Sequence, residues 1–440
     1  MNGEEIRKEQ GITLVALVIT IIIIIILATV TMNMVFGDNG LIKQAQLSKD
    51  MASNSSIAES EDMNTIMQEY ANVMAEDSEI PLPDTRSEIK KAKDDGTVFD
   101  KTTTLTDEHG NEVTVPGGFK IPEDSGDTVQ QGIVIEDVNA STEENVRGSQ
   151  YVWIPVGTFI KDDGSISNEI VLGRYTFDED GTPQLHQAAY TKNNAENYKE
   201  EVVIEELVIG ELVSPVKCVE KTIYTEGIEG ENNGENATAK DLSGFVNSVR
   251  NSGGYYLARY EASYASGASN NSIEDYSKCK AASKISTSNS DTMNYSTGTL
   301  WNNITQIDAS KVAINTYSDS IRVKSDLINS YSWDTAIVYI QEATGLNYSN
   351  QVSVNTERGN TGNLQSGLKD EMCKINNMAS NIDEWTTEHS NQKAANNVAN
   401  APCMTRGGIY TANNRTTEYR GYNISHKSYE CCGFRVILYI

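Results

Sequence analysis

Histidine is scarce, with four residues in 440, and proline accounts for only eight. His109, His186, His389 and His426 stand apart from one another, so no H-E-x-x-H helix is written in the chain. The six cysteines include no C-x-x-C pair, and no glycine-rich phosphate loop occurs. Together these absences argue against a zinc hydrolase, a thioredoxin-like redox centre and a nucleotide-phosphate site. Basic side chains are also few, 35 against 62 acidic, a formal balance of −27. That sign repels a phosphate backbone and argues against a nucleic-acid partner. The deficit is uneven: residues 41–150 carry 9 basic and 23 acidic groups, whereas 351–440 carry 9 and 8. With 38% hydrophobic residues, membrane contact must be confined to one short piece, and the length suggests two or three folded units. No self-similar period marks a repeat protein.

The short piece is at the N-terminus. No charged residue falls between Glu9 and Asp38, and Ile12 to Phe36 reads ITLVALVITIIIIIILATVTMNMVF. Those residues make roughly 37 Å of helix, more than a ~30 Å hydrocarbon layer requires. The run is apolar all round, as a membrane span is, and too long for the core of a secretory signal. Gly11, Ile12, Thr13 and Leu14, followed by VALVIT, resemble the type IV prepilin N-terminus. The resemblance implies a leader at 1–11, its removal after Gly11, methylation of the new amino terminus on Ile12, and a helix at 12–36 able to pack with pilin-like subunits. It departs from the family at Ala16, where a glutamate usually pairs with a neighbour's amino terminus. Met63, Ile66, Met67, Tyr70, Val73 and Met74 then keep helical spacing, which suits a surface helix packed on its own domain as well as a stalk or bundle helix; a helical stalk is expected at 37–80. Pro81, Pro83 and the dense charges after them mark 81–110 as a linker.

From 111 to 440 the texture is β-rich, with short runs such as VTVPGGFKI, GIVIEDV and YVWIPVG. Val152, Ile154 and Val156 alternate with Trp153 and Pro155, as a strand packed on one side would. Residues 168–236 read as an acidic, strand-bearing insertion. GGYYLARYEAS begins with a tight Gly-Gly turn and continues as a strand. Trp333, Ala336, Ile337 and Ile340 have amphipathic-helix spacing. Trp385 suits a core anchor, and GFRVILYI suits a final strand.

Four segments in order, GGYYLARYEAS, SYSWDTAIVYIQE, NMASNIDEWTTE and TRGGIY with the terminal GFRVILYI, resemble the sulfatase-modifying factor or formylglycine-generating enzyme family. The resemblance implies a C-type-lectin-like α+β domain carrying a β-rich insertion. It also implies a structural calcium ion held by Asn377, the carbonyls of Ser380 and Ile382, and Glu384, oxygen donors of the kind calcium takes. The family's oxidase activity needs a separated cysteine pair that binds copper. Ile409 to Glu430 contains no cysteine, and Cys431 and Cys432 are adjacent, so neither copper nor an oxidase is expected. If the segments neighbour each other as in the resembled fold, Cys373 to Cys403 is the preferred bridge among fifteen possible full pairings. Buried free thiols are the alternative.

Residues 405–430 are rich in Tyr, Asn, Arg and Ser. Tyr410, Asn413, Asn414, Arg415, Tyr419, Tyr422 and Asn423 offer rigid rings beside adaptable amides, the chemistry of a recognition surface. Their position before the last strand is similar to that of the mutable residues in variable proteins of diversity-generating retroelements. The expectation is a non-catalytic protein of the cell membrane, single-pass, whose outer domain binds an extracellular protein or glycan. The alternatives are a minor pilin or pseudopilin of a pilus-like surface filament and, disfavoured, a formylglycine-generating-type enzyme.

Overall fold

The last strand of the sequence is built in two parts: Cys432–Phe434 joins one sheet, Val436–Tyr439 joins another, and Arg435 lies between them. In this computed structural model the described residues are 84–190, 202–207, 216–220, 242–266, 273–285, 297–355, 362–390, 403–423 and 428–440. The expected leader with Gly11 and Ile12, the membrane helix at 12–36 and the stalk at 37–80 fall outside them. Among the described residues no helix is long and apolar enough to cross a membrane.

The architecture is α+β. One six-stranded sheet is antiparallel throughout, in the order Lys324–Leu327, Val436–Tyr439, Gly254–Ala258, Gln150–Pro155, Val134–Asp137, Phe119–Lys120. The second runs Arg420–Asn423, Cys403–Arg406, Asp383–Ser390, Val216–Glu220, Val202–Leu207, and Cys432–Phe434 pairs parallel with Asp383–Ser390. The helix Ser330–Thr344 packs against strands of both sheets. Its start is fixed by a reciprocal cap, Asn329 accepting from the Ser332 amide while the Ser332 hydroxyl accepts from the Asn329 amide, and Gly345 ends it.

Position between the two sheets changes two sequence expectations. The helix is not amphipathic in its first three turns: every residue from Ser330 to Ile340 is buried. Likewise Tyr151, Val152, Trp153 and Ile154 are all at most 1% exposed, so this strand is covered on both faces instead of one. The GGYYLARYEAS reading holds, with the helix Leu242–Ser252 turning through Gly253 into Gly254–Ala258. Trp385 is the expected anchor, fully buried, its indole nitrogen donating to the Ile304 carbonyl at 2.9 Å.

The linker expected at 81–110 is corrected. From Arg86 onward the chain belongs to one folded unit reaching Ile440. Ser87 caps the helix Glu88–Asp94, and Thr103–Thr106 pairs with Glu112–Val115. Ile89, Ala92, Phe99 and Leu105 are thinly spread among charges, yet each is buried. Burial of a large apolar side chain contributes about 1.5–3 kcal/mol, enough to hold a short charged helix against a core. The insertion at 168–236 does bear strands. Leu172–Phe177 and Pro183–Tyr190 form a ribbon, while Val202–Leu207 and Val216–Glu220 extend the second sheet.

Candidate functional site

Asp383–Ser390 is the strand from which the charged interior is organised. Its Glu384 accepts from Arg435, whose Nε lies 3.2 and 3.0 Å from the two carboxylate oxygens and whose Nη2 lies 2.6 Å from Oε1. Arg435 also donates to the carbonyls of Ala258 and Asn376, at 2.8 and 2.7 Å. Around this pair stand two more buried carboxylates. Glu261 accepts from the side-chain amides of Asn377, at 3.2 Å, and Asn381, and from the Ile382 amide at 3.4 Å. Asp370 accepts from the Tyr348 hydroxyl at 2.6 Å, the Ala379 amide at 3.0 Å and the Ser380 hydroxyl at 2.6 Å. Burial, with repulsion from Glu384, pushes Glu261 up to about 8, and burial raises Asp370 and Glu384 as well. Asn377 and Asn381 have φ of 64° and 72°, left-handed backbone that asparagine tolerates better than most residues.

The four residues expected to hold calcium therefore do come together, but as a hydrogen-bonded turn. Both oxygens of Glu384 are taken by Arg435, and the Ser380 hydroxyl is a donor to Asp370. A guanidinium at this place opposes a divalent cation. Glu261, Asp370, Asn381 and Arg435 were missed as site members. Three of them stand inside the quoted motifs, but nothing local says which carboxylate meets which partner.

A second charged centre lies further along the same strand. Glu388 is paired with Arg174, with Arg406 at 3.5 Å and with Arg420 at 3.2 Å. Asp334, on the helix Ser330–Thr344, is paired with Arg406 and, at 2.6 Å, with Arg420. All five side chains are at most 5% exposed, and three guanidiniums face two carboxylates. Burial alone would raise Glu388, but Arg420, Arg174 and Arg406 together hold it at about 2. Tyr175 closes the centre, its amide donating to Asp334 at 2.9 Å and its carbonyl accepting from Arg420 at 3.2 Å.

Arg406 and Arg420 are also the two feet of the surface expected to bind a ligand. They face each other across the pair Cys403–Arg406 and Arg420–Asn423, and residues 407–419 leave and return between them. Gly407 and Gly408 allow the departure. Gly407 has φ +85°, and a Cβ there would lie 2.5 Å from the Met378 carbonyl; one on Gly408 would lie 2.0 Å from that of Ala379. The return is held by Thr417 and Glu418 amides donating to Gln351 and Ser349, at 3.0 and 3.1 Å, and by the Trp333 indole donating to Thr417 at 3.0 Å. The excursion brings five of the seven expected residues together. Asn413 and Asn414 are exposed at its tip, and Tyr410 is half-buried with its hydroxyl 3.3 Å from Glu430. Arg415 turns inward to Asp383 and stacks 4.8 Å over Tyr419, so it supports the tip instead of presenting a free charge. Tyr422 and Asn423 lie in the paired strand, opposite Met404 and Cys403.

The expected Cys373 to Cys403 bridge is not formed. Cys373 sits in a left-handed turn with its carbonyl beneath Gly132, and burial pushes it up to about 12. Cys403 occupies a strand between His389 and Asn423. A separate cleft of about 320 Å³ is lined by Asn139, Thr142, Lys280, Tyr317, Asp319 and Arg322, among others. No protein-family model, curated protein or solved structure matches this chain.

Proposed function

We propose that this is a non-catalytic, membrane-anchored, surface-displayed binding protein. Its outer domain is of C-type-lectin-like type and takes an extracellular protein or glycan on the excursion between Gly407 and Tyr419. The observation that carries this reading is the contrast within that excursion. Its feet, Arg406 and Arg420, are locked in a buried ion network, while Asn413 and Asn414 are exposed beside Tyr410. A rigid base with amides and an aromatic ring at the tip loses little conformational entropy on binding. The apolar run from Ile12 to Phe36 supports the anchor.

The test is a glycan and protein array probed with the full chain in detergent, followed by the double variant Asn413→Ala, Asn414→Ala and by Arg322→Ala in the separate cleft. Loss of binding in the first with retention in the second is expected; the opposite pattern moves the site to the cleft and overturns the assignment. Deleting 12–36 is expected to release the protein from the membrane fraction. The prepilin-like Gly11 and Ile12 favour a second reading, a minor pilin-like subunit, which predicts recovery of the chain in sheared surface filaments.

A further inference from the structure

Asp137 is fully buried at the end of the strand Val134–Asp137, and its two carboxylate oxygens hold two separate segments. One accepts from the Asn139 amide and the other from the Tyr317 hydroxyl, each at 2.9 Å. The chain that follows each of these residues lines the cleft of about 320 Å³. On the first wall, Asn139 Oδ1 accepts from the amide and hydroxyl of Ser141 at 3.1 and 2.9 Å, and its Nδ2 donors are unspent among the described residues. On the second, the Ser320 hydroxyl oxygen accepts from the amides of Arg322 and Val323, both at 3.2 Å, which leaves its own proton to give. Arg322 is half-buried, and among the described residues its guanidinium makes no hydrogen bond or ion pair. Gly118 keeps room for it: this residue has φ +87°, and a Cβ there would lie 3.0 Å from Arg322 Nη1 and 2.9 Å from the Asn139 Cβ.

We propose that this cleft binds a small hydroxylated monocarboxylate, of the sugar-acid class, with the carboxylate seated on Arg322. A planar guanidinium offers paired N–H donors that match the two oxygens of a carboxylate, and here none of them is engaged by the protein. The other cation of the lining, Lys280, is already matched, with its Nζ 3.2 Å from Asp319. A neutral sugar would leave Arg322 without a counter-charge. Asp319 and Glu143 also line the cleft. Their carboxylates repel a phosphate dianion more strongly than a single negative charge, and they accept hydrogen bonds from hydroxyl groups. Asn139 and Ser320 supply neutral donors to the same ligand. The volume lies at the lower end of the roughly 300–1,000 Å³ of small-molecule sites, which suits a single ring. Because Asp137 fixes both walls, the cleft needs little rearrangement to receive it. None of these residues belongs to the excursion, so this inference and the binding reading above can fail separately.

The experiment is equilibrium dialysis of the full chain in detergent against radiolabelled glucuronate, with unlabelled glucose and inorganic phosphate as competitors. Saturable glucuronate binding is expected, displaced by unlabelled glucuronate but not by equal concentrations of glucose or phosphate. Arg322→Ala is expected to weaken it by at least about tenfold, the loss of one charged hydrogen-bonded contact. Asn413→Ala with Asn414→Ala, at the tip of the excursion, should leave it unchanged. Absence of saturable binding, or displacement by glucose or phosphate as effective as by glucuronate, overturns the proposal on the wild-type chain alone. Undiminished affinity in Arg322→Ala, or loss in the excursion variant, overturns it by placing the sugar acid elsewhere.

Discussion

The two buried charge centres on the strand Asp383–Ser390 differ in the sign of their excess, and the difference decides how each survives burial. Around Glu384, three buried carboxylates stand near one guanidinium, which is bonded to Glu384, and burial favours their neutral forms: Glu261 is pushed up to about 8, and Asp370 and Glu384 are raised. Around Glu388, three guanidiniums share two carboxylates, and arginine has no comparable way to become neutral. There the relief comes from geometry, with Glu388 bonded to all three arginines. A carboxylate in the first centre is adjustable, whereas one in the second has no substitute.

The sharpest way to break that comparison is a pair of matched variants. Glu388→Gln leaves buried guanidiniums uncompensated and is expected to destabilise by about 3–5 kcal/mol in urea unfolding. Glu261→Gln, neutral like the protonated side chain it replaces, is expected to change stability by less than ~1 kcal/mol at pH 6. Equal losses would abolish the distinction.

Acidity separates the centres next. The folded value of Glu261, about 8, lies above its ordinary 4.5, so its contribution is complete below pH 4.5 and is lost as pH rises through 8. At about 1.4 kcal/mol per unit, the decline is of order a few kcal/mol. Glu388 has the opposite sign: its folded value of about 2 lies below 4.5, so its contribution is complete above pH 4.5 and is lost as pH falls through 2. Unfolding midpoints from pH 3 to 9 should show the alkaline decline flattened in Glu261→Gln.

Smaller effects are expected where backbone and surface are altered. Gly407→Ala forces a side chain into left-handed backbone beside the Met378 carbonyl and should lower stability by about 1–3 kcal/mol, read from the melting temperature. Calcium should leave that temperature unchanged while Arg435 holds Glu384; a rise would mean that the pair opens. At the tip, Asn413→Ala with Asn414→Ala should alter stability by no more than about 0.5 kcal/mol.

What could be read from the sequence was what depends on local spacing. Trp385 as an anchor, the final strand, the turn into Gly254–Ala258 and the helix around Trp333 all carry their pattern in consecutive residues. The ion networks do not: Arg174 and Glu388 are 214 positions apart, and either would pass as a surface charge. Covering on both faces was hidden for a similar reason, since Tyr, Trp and Ser suit both exposed and enclosed positions in strands and helices. The folded stretch after Arg86 was disguised by charges outnumbering the few apolar residues that fasten it. At the excursion the exposed amides were legible, but the inward turn of Arg415 was not, because its partner Asp383 lies 32 positions away.

The division of the last strand between two sheets also bears on synthesis. A growing polypeptide cannot complete either sheet until Cys432 through Tyr439 has left the ribosome, because that one segment supplies a strand to both. Until then Gly254–Ala258 and Asp383–Ser390 each keep a bare backbone edge, the kind that pairs with other chains.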